Sequence, residues 1–117
     1  MGVHRRERSG IVVLDISGEF YGDKETDHLE AAIQNELAAG SLHLILNLVA
    51  CSWMNSTALG VMMRAKMAYD ARGGNIRICG AERRMKSLLV VLRLYDWFDH
   101  HETEADAVEA FARPAEV

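Results

Sequence analysis

Strand-length apolar runs alternate with helix-period segments along almost the whole chain, and that alternation decides the fold class. "GIVVLDISGE" is rich in β-branched residues and bounded by Gly10 and Gly18, which reads as a strand. "VHRRER" before it forms a partner strand, returning antiparallel through a turn at Ser9-Gly10. From Asp23 to Ala39 the apolar residues Leu29, Ile33 and Leu37 recur at a spacing of four, acidic residues crowd the start and Gly40 follows the end. That pattern predicts an amphipathic helix. "SLHLILNLV" is a continuous apolar run suited to a covered strand. A helix over 56–71 follows, closed by Gly73-Gly74; then come a strand at "NIRICG", a helix at "ERRMKSLLVVLRL", an edge strand at "WFDHHE" and a last short helix at "EADAVEAFA". Strands separated by helices pair in parallel through crossovers. The expectation is an α/β domain: a small mixed sheet, its first hairpin antiparallel, flanked by about four helices.

A chain of 117 residues, half of them hydrophobic, supports one domain with a real core. The core is placed at about 10–112, with short terminal extensions that include the single proline, Pro114. A net charge of −4 without a polybasic tail argues against general nucleic-acid binding. The local clusters Arg5, Arg6, Arg8 and Arg83, Arg84, Lys86 read as solvated faces. No secretory signal and no apolar run of membrane-spanning length is visible. Cys51 and Cys79 are too few for a disulfide framework or a zinc site, and no pair of histidines stands at metal-ligand spacing. The reading is a cytoplasmic protein with no cofactor, no metal and both thiols acting as small core hydrophobes.

The stretch "CSWMNSTALGVMM", residues 51–63, carries the functional question. Sites in open α/β sheets form where strands end and helices begin, because the first turn of a helix presents unpaired N–H groups and a positive dipole end. Asn55 or Ser56 can cap such a turn, which accounts for one polar residue of three. Bulky Trp53 and Met54 precede them, in what reads as a loop, and the helix beyond is apolar almost all round. A sheet-docking helix needs one apolar stripe, so the surplus faces either a neighbouring helix or a partner. For catalysis, Ser56 would need a base and an orienting group. The glycines that flank the serine of a hydrolase elbow are missing, and the histidines are scattered.

The order of elements together with "NSTALGV" resembles the anti-sigma factor antagonist family, the STAS domain proteins of bacteria. The family signature runs acidic residue, serine, serine or threonine, glycine, leucine, glycine, apolar residue at the start of the second helix; here it reads Asn55, Ser56, Thr57, Ala58, Leu59, Gly60, Val61. "LDISGEF", "LHLILNLVACSWMNS" and "ARGGNIRICG" extend the likeness over most of the chain. The resemblance implies a non-enzymatic binding module that engages an anti-sigma factor, often a serine kinase, and so frees a sigma factor for transcription. It implies Ser56 as phosphoacceptor, flanked by Asn55 and Thr57, with a serine phosphatase reversing the mark. The partner surface implied comprises the 20–26 loop, the 52–58 loop and the second helix: Tyr21, Asp23, Trp53, Met54, Ala58, Met62 and Met63. Three positions depart from the pattern. Asn55 replaces the usual aspartate, Ala58 the usual glycine, and Tyr21 stands where many members carry an aspartate, with Asp23 close by.

Two rivals stand beside this reading. One is a scaffold or sensor-docking subunit, self-associating through the apolar helix as a homodimer or larger assembly, with Ser56 serving only as a cap. The other is a hydrolase-type enzyme using Ser56 or Cys51.

Overall fold

The computed structural model describes residues 2–112; Pro114 and the rest of 113–117 lie outside the described residues. The elements are β1 (Gly2–Arg8), β2 (Ile11–Phe20), α1 (Lys24–Ala38), β3 (His43–Asn47), β4 (Cys51–Met54), α2 (Ser56–Ala71), β5 (Asn75–Cys79), α3 (Arg83–Val91), β6 (His100–His101) and α4 (Glu104–Ala112). The sheet runs β1-β2-β3-β5-β6, with β4 also on β2. Among the described residues only the β1–β2 pair is antiparallel. Ser9 and Gly10 both sit at positive φ, 54° and 77°, and join Arg8 to its partner Ile11 as a two-residue hairpin turn matching the twist of the strands. The mixed sheet with four helices is the α/β architecture expected from the alternation.

Strand periodicity sends alternate residues of β2 to opposite layers. Val12, Leu14 and Ile16 join Leu44, Leu46, Ile76 and Ile78 on the face covered by Leu29 and Ile33 of α1, Met62 of α2 and Met85 and Leu89 of α3. Ile11, Val13, Ile45 and Cys79 face the other way, under Ala107, Val108 and Phe111 of α4. Each fully buried aliphatic side chain stabilises the fold by roughly 1.5–3 kcal/mol, so the three-helix layer dominates stability. Across the α4 face, Arg6 bonds Asp15 at 2.6 Å and also Glu104, joining β1, β2 and α4. Its guanidinium holds the Asp15 carboxyl below the usual carboxylate range.

Two expectations are corrected. Residues 51–54, read as a loop, form β4. β2 is ten residues long and β3 only five, so the second half of β2 would lack a neighbour beyond Asn47. The chain jogs at 48–50 and resumes pairing with Cys51 on Gly18 and Met54 on Phe20. Trp53 and Met54 are apolar because they belong to a sheet. The edge strand expected over 97–102 shrinks to His100–His101, because residues before it fold into turns in which Phe98 N–H donates to Leu94 O and Asp99 N–H to Asp96 O.

Candidate functional site: the mouth of the sheet at the start of α2

Parallel strands end on a common edge, so Phe20 of β2 and Met54 of β4 finish side by side. The Asn55 N–H donates to Phe20 O at 2.9 Å, which extends the pairing by one residue and fixes where the helix can begin. Asn55 then adopts φ −83° and ψ −178°, the extended geometry of an N-cap, and its side-chain oxygen accepts from Ala58 N–H at 3.0 Å. Asparagine is among the best capping residues, and here it satisfies an N–H that burial of Ala58 removes from water. The cap is therefore Asn55. Ser56 is the first helical residue, exposed, and among the described residues its hydroxyl has no hydrogen-bond partner.

Thr57 is also exposed and is pinned from the side by the turn after β2. Gly22 sits at φ +81°, and a Cβ there would lie 3.0 Å from the Thr57 Cβ and Cγ2. Glycine is thus required both for the backbone conformation and for the close approach. Gly22 N–H donates to the buried Thr26 hydroxyl at 2.9 Å, which ties this turn to α1. Asp23 is the extended N-cap residue of α1, exposed, with no side-chain cap bond. Tyr21 is 51% exposed, and its hydroxyl donates to Glu19 at 2.5 Å. That carboxylate, by accepting a hydrogen bond from the protonated phenol, raises the Tyr21 pKa.

The structure brings Tyr21, Asp23, Asn55, Ser56 and Thr57 to one edge, with half-buried Trp53 at the end of β4. It does not bring Met54, Ala58 and Met62 to that surface: all three are fully buried, so as partner contacts they are corrected to core residues. Their positions explain this. Met54 ends a strand facing the helical layer, and Ala58 and Met62 lie four apart on the inner side of α2. Met63, one residue further round, is exposed, and Met67 is 61% exposed on the same outer crest as Ser56 and Gly60.

Sequence reasoning missed Arg84. It was grouped with Arg83 and Lys86 as a solvated cluster, whereas its guanidinium lies 4.5 Å from the centre of the Trp53 ring. No local pattern signals this, because Trp53 and Arg84 meet only through the packing of α3 on β4. Glu19 was likewise unmarked.

Thiol chemistry does not fit the site. Cys51 is buried at the base of β4 and burial pushes its pKa up to about 11; burial pushes Cys79 up to about 12. Both are protonated at neutral pH and therefore poor nucleophiles. Among the described residues no cluster of three or more His, Cys, Asp or Glu could hold a metal ion, and no helix is long and apolar enough to cross a membrane.

A small mixed sheet with a capped, hydroxyl-bearing helix start at its mouth is the architecture of a STAS domain, and the STAS domain family model matches residues 3–107. The chain belongs to the STAS domain family. Among solved structures it is similar to TM1081 of Thermotoga maritima, assigned as an anti-sigma factor antagonist (18% identity, 95% of each chain covered, TM-score 0.87). It is also similar to an anti-sigma factor antagonist from Mycobacterium paratuberculosis (23% identity, 95% of this chain and 93% of that one, TM-score 0.75). A third is the Bacillus cell fate determinant SpoIIAA in its phosphorylated form (19% identity, 94% and 99% covered, TM-score 0.73). No curated protein matches the sequence.

Proposed function

We propose that this chain is an anti-sigma factor antagonist: a binding module that engages an anti-sigma factor through the mouth of the sheet and is switched off by phosphorylation of Ser56. The observation that carries the reading is the division of labour at the start of α2. Asn55 supplies the cap, so the Ser56 hydroxyl is exposed and structurally idle, and can be modified without dismantling the helix. A phosphoryl group adds a charge of about −1.5 to −2, which the dipole and free N–H groups of a helix start tolerate. A partner packed against a neutral hydroxyl would instead have to desolvate a dianion, at a cost of several kcal/mol. Support also comes from SpoIIAA, described in unphosphorylated and phosphorylated forms that match this chain equally well, each with a TM-score of 0.73.

In this reading the contact surface is Tyr21, Asp23, Trp53, Thr57 and the outer crest of α2 at Met63. The partner is an anti-sigma factor with serine kinase activity, a serine phosphatase restores the active state, and the site of action is the cytoplasm. Intact-mass measurement after incubation with ATP and lysate of the source organism, beside Ser56→Ala, tests it. One added phosphate that disappears in Ser56→Ala is expected. A phosphate retained in Ser56→Ala, or none where a control substrate is modified, would overturn the switch. In the latter case the exposed Met63 and Met67 would favour the scaffold reading, which sedimentation would register as a discrete assembly.

A further inference from the structure

We infer that α4 is a releasable strap: it leaves the back of the sheet by itself, uncovering an apolar face and the Cys79 thiol while the rest of the domain stays folded. The first observation is how little of α4 the sheet holds. Of its nine residues only Ala107 is buried, whereas α2 buries seven residues and α1 five. Beneath it lie Ile11, Val13, Ile45 and Cys79, a cluster separate from the main core on the other face. The six strands of the described residues all precede α4, so its departure need break no strand pair. A helix of nine residues is marginal on its own, so α4 is either docked or unfolded.

The second observation is that α4 is fixed at its two ends by contacts its partners can exchange. At the first turn Glu104 accepts from Arg6 Nη1 and from Arg8 Nη1, each at 2.9 Å. At the last turn the Phe111 ring stacks on His43, centroids 4.6 Å apart, with the Arg77 guanidinium 4.9 Å from its centre. When α4 leaves, Arg6 keeps its bond to Asp15 at 2.6 Å, and Arg77 stays beside His101 and Asp99. Arg8 and His43 are exposed, so water replaces what they lose. Release therefore leaves no buried charge without a partner, the condition that makes breaking an ion pair so costly elsewhere.

Cys79 reports which state the strap is in. It belongs to the cluster under α4, and the charges of Glu104, Arg6 and Arg8 all act on its thiol. Docked, the thiol is buried and inert; uncovered, it meets water and reacts as an ordinary cysteine. Cys51 lies in the main core at the start of β4 and serves as the internal reference. The strap sits on the face opposite α1, α2 and α3, so it opens whether or not Ser56 is modified.

The test is native-state labelling of the full chain with iodoacetamide, in urea below the unfolding transition, each cysteine read separately by peptide mass spectrometry. Global unfolding exposes the whole core, so labelling that depends on it rises steeply with urea. Release of one short helix exposes little surface and gives a shallow slope. Expected is shallow labelling of Cys79 in dilute urea, about tenfold or more faster than global unfolding allows. Glu104→Gln should speed it about tenfold further and Phe111→Ala severalfold, with Cys51 unchanged in both. Raising NaCl from about 0.05 M to about 1 M should speed Cys79 in the parent and not in Glu104→Gln. Cys79 labelling that follows the steep slope of global unfolding at every urea concentration would overturn the proposal. So would Glu104→Gln and Phe111→Ala accelerating both cysteines alike, or neither.

Discussion

The division of labour between Asn55 and Ser56 can be weighed by two single substitutions. Asn55→Ala removes the side-chain oxygen that accepts from Ala58 N–H at 3.0 Å. Loss of an asparagine cap costs 0.5–2 kcal/mol, typically about 1. Here the orphaned N–H belongs to a fully buried residue that water cannot reach, which places the loss in the upper half of that range, about 1.3–2 kcal/mol. For a domain of this size that corresponds to a fall in Tm of roughly 4–9 °C. Ser56→Ala removes a hydroxyl that has no hydrogen-bond partner among the described residues, on an exposed helical position where alanine is the better helix former. Its stability should stay within about 0.5 kcal/mol of the parent. Thermal and urea unfolding followed by circular dichroism at 222 nm, fitted with a shared m-value, read both. If Ser56→Ala costs 1 kcal/mol or more while Asn55→Ala is silent, the cap has been assigned to the wrong residue. The idle hydroxyl on which the switch rests would then not exist.

The same unfolding assay separates Met62 from Met63: Met62→Ala leaves a core cavity and should cost about 2–4 kcal/mol, whereas exposed Met63→Ala should cost less than about 0.5 kcal/mol. His100 supplies a pH dependence. Its Nε2 accepts from Ala81 N–H at 3.1 Å, and desolvation by burial lowers its pKa below the ordinary 6.5. The unfolded chain therefore binds the proton first as pH falls, so this contribution is complete above 6.5 and is lost on the acid side as pH drops toward the folded value. Imidazole shifts followed by NMR, with stability curves of the parent and His100→Gln, should show a shallower acid slope in the variant; equal slopes would remove His100 from the account. Finally, Asn55→Asp and Ser56→Asp combined should be less stable than the sum of the single effects by roughly 0.5–1 kcal/mol, because the two carboxylates repel. An additive cycle would show that solvent screens the pair completely.

Much of the fold was legible because it rests on period and punctuation. The Ser9-Gly10 hairpin, the spacing of Leu29, Ile33 and Leu37, and the glycines after α1 and α2 are local signals of local structure. β4 was not legible, because four residues of mixed polarity make a strand only when a longer neighbour offers free backbone groups, here the second half of β2. The same limit governs the site. "NST" marks the start of α2, yet which residue caps and which stands free depends on the bond from Asn55 N–H to Phe20 O, a tertiary fact. The apolar surplus of α2 left its destination open; Met62 goes to the core, while Met63 is left exposed. Arg84 was in view as a charge, but its place over Trp53 follows from where α3 packs.

With Asn55 in place of the acidic residue of the signature it resembles, this helix start would keep the capping geometry and change its electrostatics. An aspartate at the cap would accept the same bond and add a favourable dipole interaction of about 0.3–1 kcal/mol. It would also stand beside Ser56. A phosphoryl dianion within about 6 Å of a carboxylate is repelled by roughly 1–2 kcal/mol at near-aqueous dielectric, more than the dipole's gain. Asparagine keeps the cap and removes that repulsion, so a mark on Ser56 would meet only the dipole and the first-turn N–H groups. The neighbouring β2–α1 segment carries Glu19 and Asp23, and Glu19 already accepts from the Tyr21 hydroxyl. A neutral cap thus makes the modified state less costly to the fold and leaves the penalty of phosphorylation to fall on whatever packs against Ser56. That is the condition a switch needs if it is to control binding and not folding.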